Sequence, residues 1–319
     1  MLGQPPPSAA RSVDVSPDEF RDFASNAVLA ADRLSADERP SHISQIRSGG
    51  WGFDLAEVNG RLKVEGALDS NHMAVVVVER AAGSAICGFP LRENMVLVLS
   101  KGTRIAASAH PGLSYHATTL PSTVWHDIWR STVDDGIEPP GADIEAFDLG
   151  ALGPAAHAAA SGIASRLTSL ANDSRLSDRP PDELADHVGA IVHGCMPASS
   201  IQLDRSLRHR MRQAWQAQDF IRAHLHEEIS VLELCREMKV SRRQLEYAFR
   251  TAFDVSPKEF IQLMKLNEGR RLLMTGRKRG LSVTDVVMEV GVNHLGRFST
   301  AYRKLFGEMP KATLSGSDT

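Results

Sequence analysis

The chain has 319 residues, of which 42% are hydrophobic and 24% charged. This composition is typical of a soluble globular protein, and the length predicts two domains. The longest apolar run, residues 73–78, is too short to cross a bilayer, and the first residues lack the pattern of a signal peptide. Cys87, Cys195 and Cys235 lie far apart without a CxxC pair, so neither a disulfide framework nor a zinc site is predicted. The expected compartment is the cytoplasm.

The charge is unevenly distributed along the chain. The net charge is −3, but residues 201–319 contain 21 basic and 14 acidic residues, a net charge of +7. The first 200 residues therefore hold the other 15 basic and 25 acidic residues, a net charge of −10. A basic C-terminal module attached to an acidic one suits a polyanion-binding head. On charge alone, chance asymmetry between two solvated surfaces explains the difference equally well.

The N-terminal half predicts a β module. Residues 1–20 are rich in Pro and Ser and predict a flexible leader. Strands at 54–58 and 61–65 flank Asn59-Gly60, a pair that favours a two-residue hairpin because both residues tolerate positive φ. Further strands are predicted at residues 73–78, 95–99, 104–107 and 115–120. Short strands at this spacing indicate a barrel or a sandwich.

Helical patterns follow the strands. Residues 155–170 and 182–192 carry Ala and Leu at helical spacing. A small β module is not expected to cover their apolar stripes, which predicts that they pair two protomers in a homodimer. Residues 197–200 predict a hinge, and the remainder is predicted to be helical. The predicted organisation is a leader at 1–20, a domain at 21–195, a linker at 196–206 and a domain at 207–319.

The last third contains a degenerate internal repeat. At an offset of 52 or 53 residues, the aligned pairs are Glu233 and Asp285, Leu234 and Val286, Glu237 and Glu289, Val240 and Val292, Leu245 and Phe298, Phe249 and Tyr302, and Phe253 and Phe306. Each copy predicts a short helix, a break and a second helix, which is the helix-turn-helix plan. The two copies lie at about 230–253 and 282–306, and a helix over 257–275 is predicted to join them.

Capping signals mark the helix starts independently of the repeat. A serine precedes a carboxylate or an amide by three residues at Ser230, Ser241, Ser256 and Ser282. In such a capping box the serine hydroxyl accepts a hydrogen bond from the backbone N–H three residues later. The acidic or amide side chain in turn accepts a hydrogen bond from the backbone N–H of the serine. In the second copy, Gly291 is predicted to form the break and Asn293 to cap the following helix.

The repeat resembles a known family. Val240-Ser241-x-x-x-Leu245-x-x-x-Phe249, followed by Phe253-x-x-Ser256-Pro257-x-x-Phe260, resembles the first half of the AraC-family DNA-binding domain. Gly291-Val292, followed by Phe298-Ser299-x-x-Tyr302-Arg303-x-x-Phe306-Gly307-x-x-Pro310, resembles the second half. Residues 294–298 with 305–308 are similar to the branch that contains regulators of ethanolamine utilisation.

The resemblance implies an α+β protein. It implies an all-α C-terminal domain of seven helices with two helix-turn-helix motifs, and upstream a cupin-like, effector-binding β-barrel or sandwich with a helical connector. The implied function is sequence-specific regulation of transcription, not catalysis. The implied partners are double-stranded DNA, a small-molecule effector and RNA polymerase; no cofactor and no membrane partner are expected.

The recognition helices are expected near residues 242–253 and 294–306. In the first, the family's base-reading positions fall on Arg243, Glu246 and Tyr247, and Arg242 and Arg250 are placed for phosphates.

In the second helix, the base-reading positions fall on Leu295, Gly296 and Thr300, and Arg297 and Arg303 are expected to contact phosphates. Leu295 offers only an apolar contact and Gly296 has no side chain. This departure from the family's pattern leaves base reading by the second copy open.

An enzyme is the main alternative to a regulator. His72, His110, His116 and His126 lie in or near the β region, but no H-x-H pair starts a metal-binding triad. On a strand, the adjacent His126 and Asp127 would point to opposite faces. No metal site is predicted, and no nucleophile-elbow, P-loop or dinucleotide motif occurs. A third possibility is a C-terminal module that docks a protein; the outward arginines favour DNA.

Aromatic residues suggest where an effector would bind. Candidates near the strand ends are Trp51, Phe53, Phe89, Tyr115 and Trp125. A barrel of this size can enclose one small molecule. The alternative is that these side chains form the barrel core.

Overall fold

The computed structural model describes residues 9–17, 19, 25–36, 39–132, 144–170, 182–195, 198–202 and 205–316. The chain divides into two compact units. The N-terminal unit comprises Met1–Ala31, Arg39–Gly60 and Val64–Gln202, and the C-terminal unit comprises Asp32–Glu38, Arg61–Lys63 and Leu203–Thr319.

Twelve strands occur in the described part of the chain. They are β1 (Ala9–Val15), β2 (Ala27–Arg33), β3 (Ser41–Ser48), β4 (Trp51–Val58), β5 (Leu62–Leu68), β6 (His72–Arg80), β7 (Ala85–Ile86), β8 (Phe89–Pro90), β9 (Met95–Leu99), β10 (Arg104–Ala109), β11 (Leu113–Pro121) and β12 (Ile144–Asp148). One sheet has seven strands in the order β1-β3-β4-β11-β6-β9-β12, and the other has five in the order β2-β5-β10-β7-β8.

The seven-stranded sheet is covered on both faces at its centre. All five residues of β9 are buried. Val96 and Val98 pack with the helices, and alternation places Met95, Leu97 and Leu99 on the opposite face. A continuous apolar run, rather than an alternating one, is the sequence pattern of such a strand.

The predicted hairpin at Asn59-Gly60 is wrong. Strand β4 lies between β3 and β11 in the seven-stranded sheet, whereas β5 lies between β2 and β10 in the other sheet. The connection is therefore a corner between sheets. Asn59 fixes it by donating its backbone N–H to Ser41 Oγ at 3.2 Å and its side-chain amide to the Pro40 carbonyl at 2.8 Å.

The predicted leader at 1–20 contains a strand. Residues Ala9–Val15 pair antiparallel with β3, from Ala9 opposite Arg47 to Val15 opposite Ser41. Val15 is buried. This part of the segment is thus an edge strand of the sheet rather than a flexible leader.

Three α-helices occur in the described part of the N-terminal unit: α1 (Ser122–Thr132), α2 (Pro154–Leu170) and α3 (Asp182–Cys195). Their apolar stripes, including Ile163, Leu167, Val188 and Ile191, pack into the core that covers the seven-stranded sheet. The prediction that a single chain leaves these stripes exposed is wrong, because they are buried within the core of the N-terminal unit. The homodimer remains a prediction, but the apolar stripes of α2 and α3 no longer support it.

The described part of the C-terminal unit contains seven helices. They are α4 (Arg205–Ala223), α5 (Val231–Met238), α6 (Arg242–Phe253), α7 (Pro257–Arg279), α8 (Val283–Glu289), α9 (Leu295–Phe306) and α10 (Pro310–Ser315). The predicted α+β class, with a β module followed by an all-α module, is confirmed. No helix of the described residues is long and apolar enough to span a membrane.

A buried carboxylate lies within the C-terminal unit. Asp32 is 2% exposed and hydrogen-bonds to Arg271, with Lys63 Nζ at 3.5 Å and an Arg222 nitrogen at 3.8 Å. Burial alone would raise the pKa of Asp32, but the three cations outweigh it and hold this pKa below its usual value. Asp32 is therefore an ionised part of the unit's core.

Candidate nucleic-acid interface

Two helix-turn-helix motifs form the candidate interface, α5 with α6 and α8 with α9. The capping boxes predicted at Ser230, Ser241 and Ser282 are present with both of their hydrogen bonds. At Ser256 the hydroxyl accepts from the Glu259 backbone N–H at 3.2 Å. These local bonds set where each helix begins.

The predicted break in the second motif is confirmed, but the predicted cap is wrong. Gly291 has φ of +61°. The cap residue of α9 is His294, without a side-chain bond, whereas the Asn293 amide donates to Glu228 Oε2 at 3.2 Å. Asn293 therefore ties the second motif to the turn before α5 instead of starting a helix.

The first recognition helix, α6, is sharply two-sided. Its seam of Leu245, Ala248, Phe249 and Phe253 is buried in the unit's core. The opposite face carries Arg242, Arg243, Tyr247 and Arg250, all exposed, and Glu246, half-buried. The structure thus brings all five predicted DNA-contact residues of this helix to one outward face.

Side chains on that face order one another. The Arg243 guanidinium lies 5.5 Å from the centre of the Tyr247 ring and donates to its hydroxyl at 3.3 Å. Glu246 Oε1 lies 3.6 Å from Arg250 Nε, one helical turn away. An arginine fork matches guanine O6 and N7, and a carboxylate accepts from the cytosine amino group. The stacked Tyr247 restricts the directions available to the Arg243 fork.

The second recognition helix, α9, presents a different surface. Leu295 is 41% exposed, and nothing lies within 4 Å of where a Cβ of Gly296 would be. The Thr300 hydroxyl donates to the Gly296 carbonyl at 2.9 Å. Arg297 and Arg303 are exposed. The first turn of α9 therefore offers an apolar group and accessible backbone, and the same helix carries two exposed arginines.

The five aromatic candidates for an effector pocket are not brought together. Trp51, Phe53 and Trp125 lie in the core between the seven-stranded sheet and the helices, and the first two stack with centres 5.8 Å apart. Phe89 lies in β8 of the other sheet, and strand pairing places Tyr115 on the sheet face opposite the helices.

Polar side chains accompany Tyr115 on that face. Asp54 accepts from the Ser25 hydroxyl at 2.7 Å and from the Gln45 amide at 2.8 Å. Burial raises the pKa of Asp54 despite these bonds, and burial together with Asp54 raises the pKa of Tyr115. Sequence reasoning missed this network because its members are far apart in the chain.

The histidines considered for a metal site are dispersed. No group of three or more His, Cys, Asp or Glu side chains suited to a metal occurs among the described residues. His72 pairs with Asp69 at 2.8 Å, and His116 lies 3.6 Å from Glu79. His126 and Asp127 lie on α1, so the interpretation that placed them on a strand is wrong.

Comparison with known proteins identifies the C-terminal module. A family profile described as a helix-turn-helix domain matches residues 234–316. The XylDLEGF operon transcriptional activator of Pseudomonas putida is 35% identical over 95 residues, which cover 30% of this chain and 30% of that protein. A probable thc operon regulatory protein of Rhodococcus erythropolis is 26% identical over 98 residues, 31% of this chain and 30% of its own length.

Among solved structures, a probable AraC family transcriptional regulator from Rhodopseudomonas palustris is 27% identical. It covers 34% of this chain and 99% of its own, with a TM-score of 0.31. The predicted resemblance is confirmed for the C-terminal module, which is an AraC-type helix-turn-helix domain. The matches span less than a third of the two curated relatives, so they concern this module.

Proposed function

We propose that the protein regulates transcription by binding duplex DNA with α6 and α9 in successive major grooves. The observation that carries this proposal is the two-sided construction of α6, repeated in α9. In each helix an apolar seam enters the core, and arginines occupy the outward face. Helix α7 has 23 residues and is about 35 Å long at 1.5 Å per residue, which matches the 34–36 Å spacing of successive major grooves.

The two helices have different tasks in this proposal. Arg243, Glu246 and Tyr247 read base edges, while Arg242 and Arg250 hold phosphates. In α9, Leu295 contacts a thymine methyl group, and Gly296 lets the backbone approach the DNA closely.

Thr300 completes the base-facing surface of α9, and Arg297 and Arg303 supply phosphate contacts. The second helix therefore contributes mainly affinity and the first mainly specificity.

A small-molecule effector controls the protein in this proposal. The supporting feature is a set of four polar side chains on the sheet face opposite the helices, namely Gln45, Asp54, Tyr115 and Thr119. A few polar groups within a largely apolar interior are typical of small-molecule sites. Phe89 stays a candidate contact. The relatives named as operon regulators favour a role at promoters, with RNA polymerase as a partner.

Selection of bound sequences tests the DNA proposal. The full chain is incubated with a random duplex library, and the bound fraction is sequenced. The expected result is a bipartite site with one well-defined block and one weaker block. Failure to enrich any sequence, or binding that does not change with salt, would contradict sequence-specific DNA binding.

Thermal unfolding of the full chain with small metabolites tests the effector. A ligand at a hundredfold excess over its Kd is expected to stabilise the folded state by about 2.7 kcal/mol. Tyr115→Phe is expected to weaken that effect, and Trp125→Phe, on the helix side, to leave it unchanged. A ligand effect abolished by Trp125→Phe and untouched by Tyr115→Phe would place the site elsewhere.

A further inference from the structure

Lys265 is a buried charged residue in the N-terminal half of α7. It interrupts an otherwise apolar stretch of that helix, Ile261 to Leu266, together with the exposed Gln262. Its side chain is 7% exposed, and burial lowers its pKa, an effect that Glu228 partly offsets. Burying an ammonium group is unfavourable unless its three N–H donors find acceptors.

All three donors find backbone carbonyls. Lys265 Nζ donates to the carbonyl oxygens of Glu227 at 2.6 Å, Val290 at 2.9 Å and Gly291 at 2.8 Å. Glu227 lies in the turn between α4 and α5, immediately before the first helix-turn-helix motif. Val290 and Gly291 form the break between α8 and α9, in the second motif. One ammonium group therefore connects α7 to the turn at the start of the first motif and to the break within the second motif.

The two motifs touch at this point. A Cβ at Gly291 would lie 2.5 Å from the His226 carbonyl oxygen, so the break of the second motif packs directly against the turn that precedes α5 of the first motif. The Asn293 amide adds a bond to Glu228 at 3.2 Å. The last carbonyls of α8 carry the partial negative charge of a helix C-terminus, which favours a cation there.

We propose that Lys265 is a positioning residue that fixes the geometry between the two recognition helices, and with it the spacing of the two DNA blocks that the protein recognises. The proposal rests on the two-headed DNA binding proposed above. Lys265 does not touch DNA in this account; it acts through the turn that precedes α5 and through the break between α8 and α9. Buried polar groups have this use in other proteins, where they specify one arrangement at some cost in stability.

The test measures spacing preference. The bipartite site selected by the wild-type full chain is synthesised with zero, one or two base pairs inserted or deleted between its blocks. Affinities are measured by fluorescence anisotropy at one salt concentration. For the wild type, a shift of two base pairs is expected to lower affinity about tenfold or more, the loss of one or two base contacts.

Lys265→Met keeps the apolar stem and removes the donors. It is expected to flatten the preference, so that the best and the shifted sites differ about threefold or less. Lys101→Met, at an exposed turn of the N-terminal unit, removes the same charge and is expected to retain the wild-type preference. Lys265→Arg, which keeps a charged donor, is expected to retain part of it.

Circular dichroism during heating shows which variants fold. If Lys265→Met does not fold, Asn293→Ala is measured instead. This variant removes the hydrogen bond to Glu228 and is expected to reduce the spacing preference as well. A folded Lys265→Met with the wild-type spacing preference overturns the inference, as does an unfolded Lys265→Met combined with an unchanged preference in Asn293→Ala. Absence of wild-type binding to any duplex defeats the proposed function instead.

Discussion

Lys239 and Gly291 occupy equivalent positions in the two helix-turn-helix motifs, and both have left-handed backbone, with φ of +53° and +61°. Lys239 is the C-cap of α5, whereas Gly291 directly follows Val290, the C-cap of α8; both lead the chain towards the recognition helix. The turn geometry is therefore repeated although the residue type is not. Glycine adopts this conformation without steric cost, whereas a lysine does so at a cost of about 1–2 kcal/mol.

Replacing Lys239 by glycine is expected to stabilise the protein. Lys239→Gly relieves the strain and is expected to raise the free energy of unfolding by about 0.5–1 kcal/mol, because the more flexible unfolded chain offsets part of the gain. Chemical denaturation measures the change. Lys239→Ala removes the same side chain but keeps the strain, so it is the matched control; equal stability of the two variants would refute the strain argument.

The reverse change at the equivalent position is expected to be harmful. Gly291→Ala introduces left-handed strain and a contact of 2.5 Å with the His226 carbonyl oxygen, which cannot move freely because it is backbone. The expected loss is about 2 kcal/mol or more in the free energy of unfolding. A loss below 0.5 kcal/mol (roughly the effect of a neutral surface change) would show that the break at Gly291 can move away from the turn at His226 at little cost.

Substitutions of Arg243 and Arg303 are expected to affect DNA binding in different ways. Arg243→Ala is expected to cost about 1–3 kcal/mol of binding free energy and to relax preference at one base pair. Arg303→Ala is expected to weaken binding to all sequences equally, because a phosphate contact carries no sequence information. Affinities for a panel of single-base variants of the selected site distinguish the two patterns. Uniform losses in both variants would remove Arg243 from base reading.

The acid sensitivity of the C-terminal unit is expected to depend on Asp32. Its folded pKa lies below the unfolded value, so its contribution to stability is present above the unfolded pKa and is lost as pH falls through the folded one. Asp32→Asn removes the buried carboxylate that faces Lys63, Arg222 and Arg271 and is expected to cost roughly 3 kcal/mol near neutral pH.

The difference between wild type and Asp32→Asn should therefore shrink as pH falls from 6 towards 2. Denaturation at a series of pH values measures it. The exposed Asp127→Asn on α1 is the control and is expected to change little at any pH. A difference that stays constant with pH would mean that Asp32 contributes through packing alone.

Local signals made the C-terminal module predictable. Helix α6 spans Arg242–Phe253, as the serine cap, the apolar spacing and the repeat together predicted. Such signals act within a few residues and do not need the rest of the fold. The same reasoning predicted strand β9 at its observed bounds, Met95–Leu99.

Long-range relations were not predictable. Asn59-Gly60 does connect two strands, but the residue types in the connection do not specify which sheet the next strand joins. Helix α1 is a local feature that also escaped prediction, although Trp125 and Trp129 are four residues apart and both bury their side chains on one face. The role proposed for Lys265 has no signal in the sequence, because its acceptors are backbone carbonyls 25 to 38 residues away, which no side-chain pattern marks.

The salt dependence of binding by the full chain to its selected site tests the central claim most directly. If α6 and α9 contact phosphates through Arg242, Arg250, Arg297 and Arg303, the logarithm of the association constant falls linearly with the logarithm of salt concentration. The expected slope is about −0.9 for each phosphate contacted, near −4 for these four arginines. Changing Arg297 and Arg303 together to alanine should make the slope shallower by about 2. A slope near zero, or one that the double substitution leaves unchanged, would contradict binding of DNA through this face.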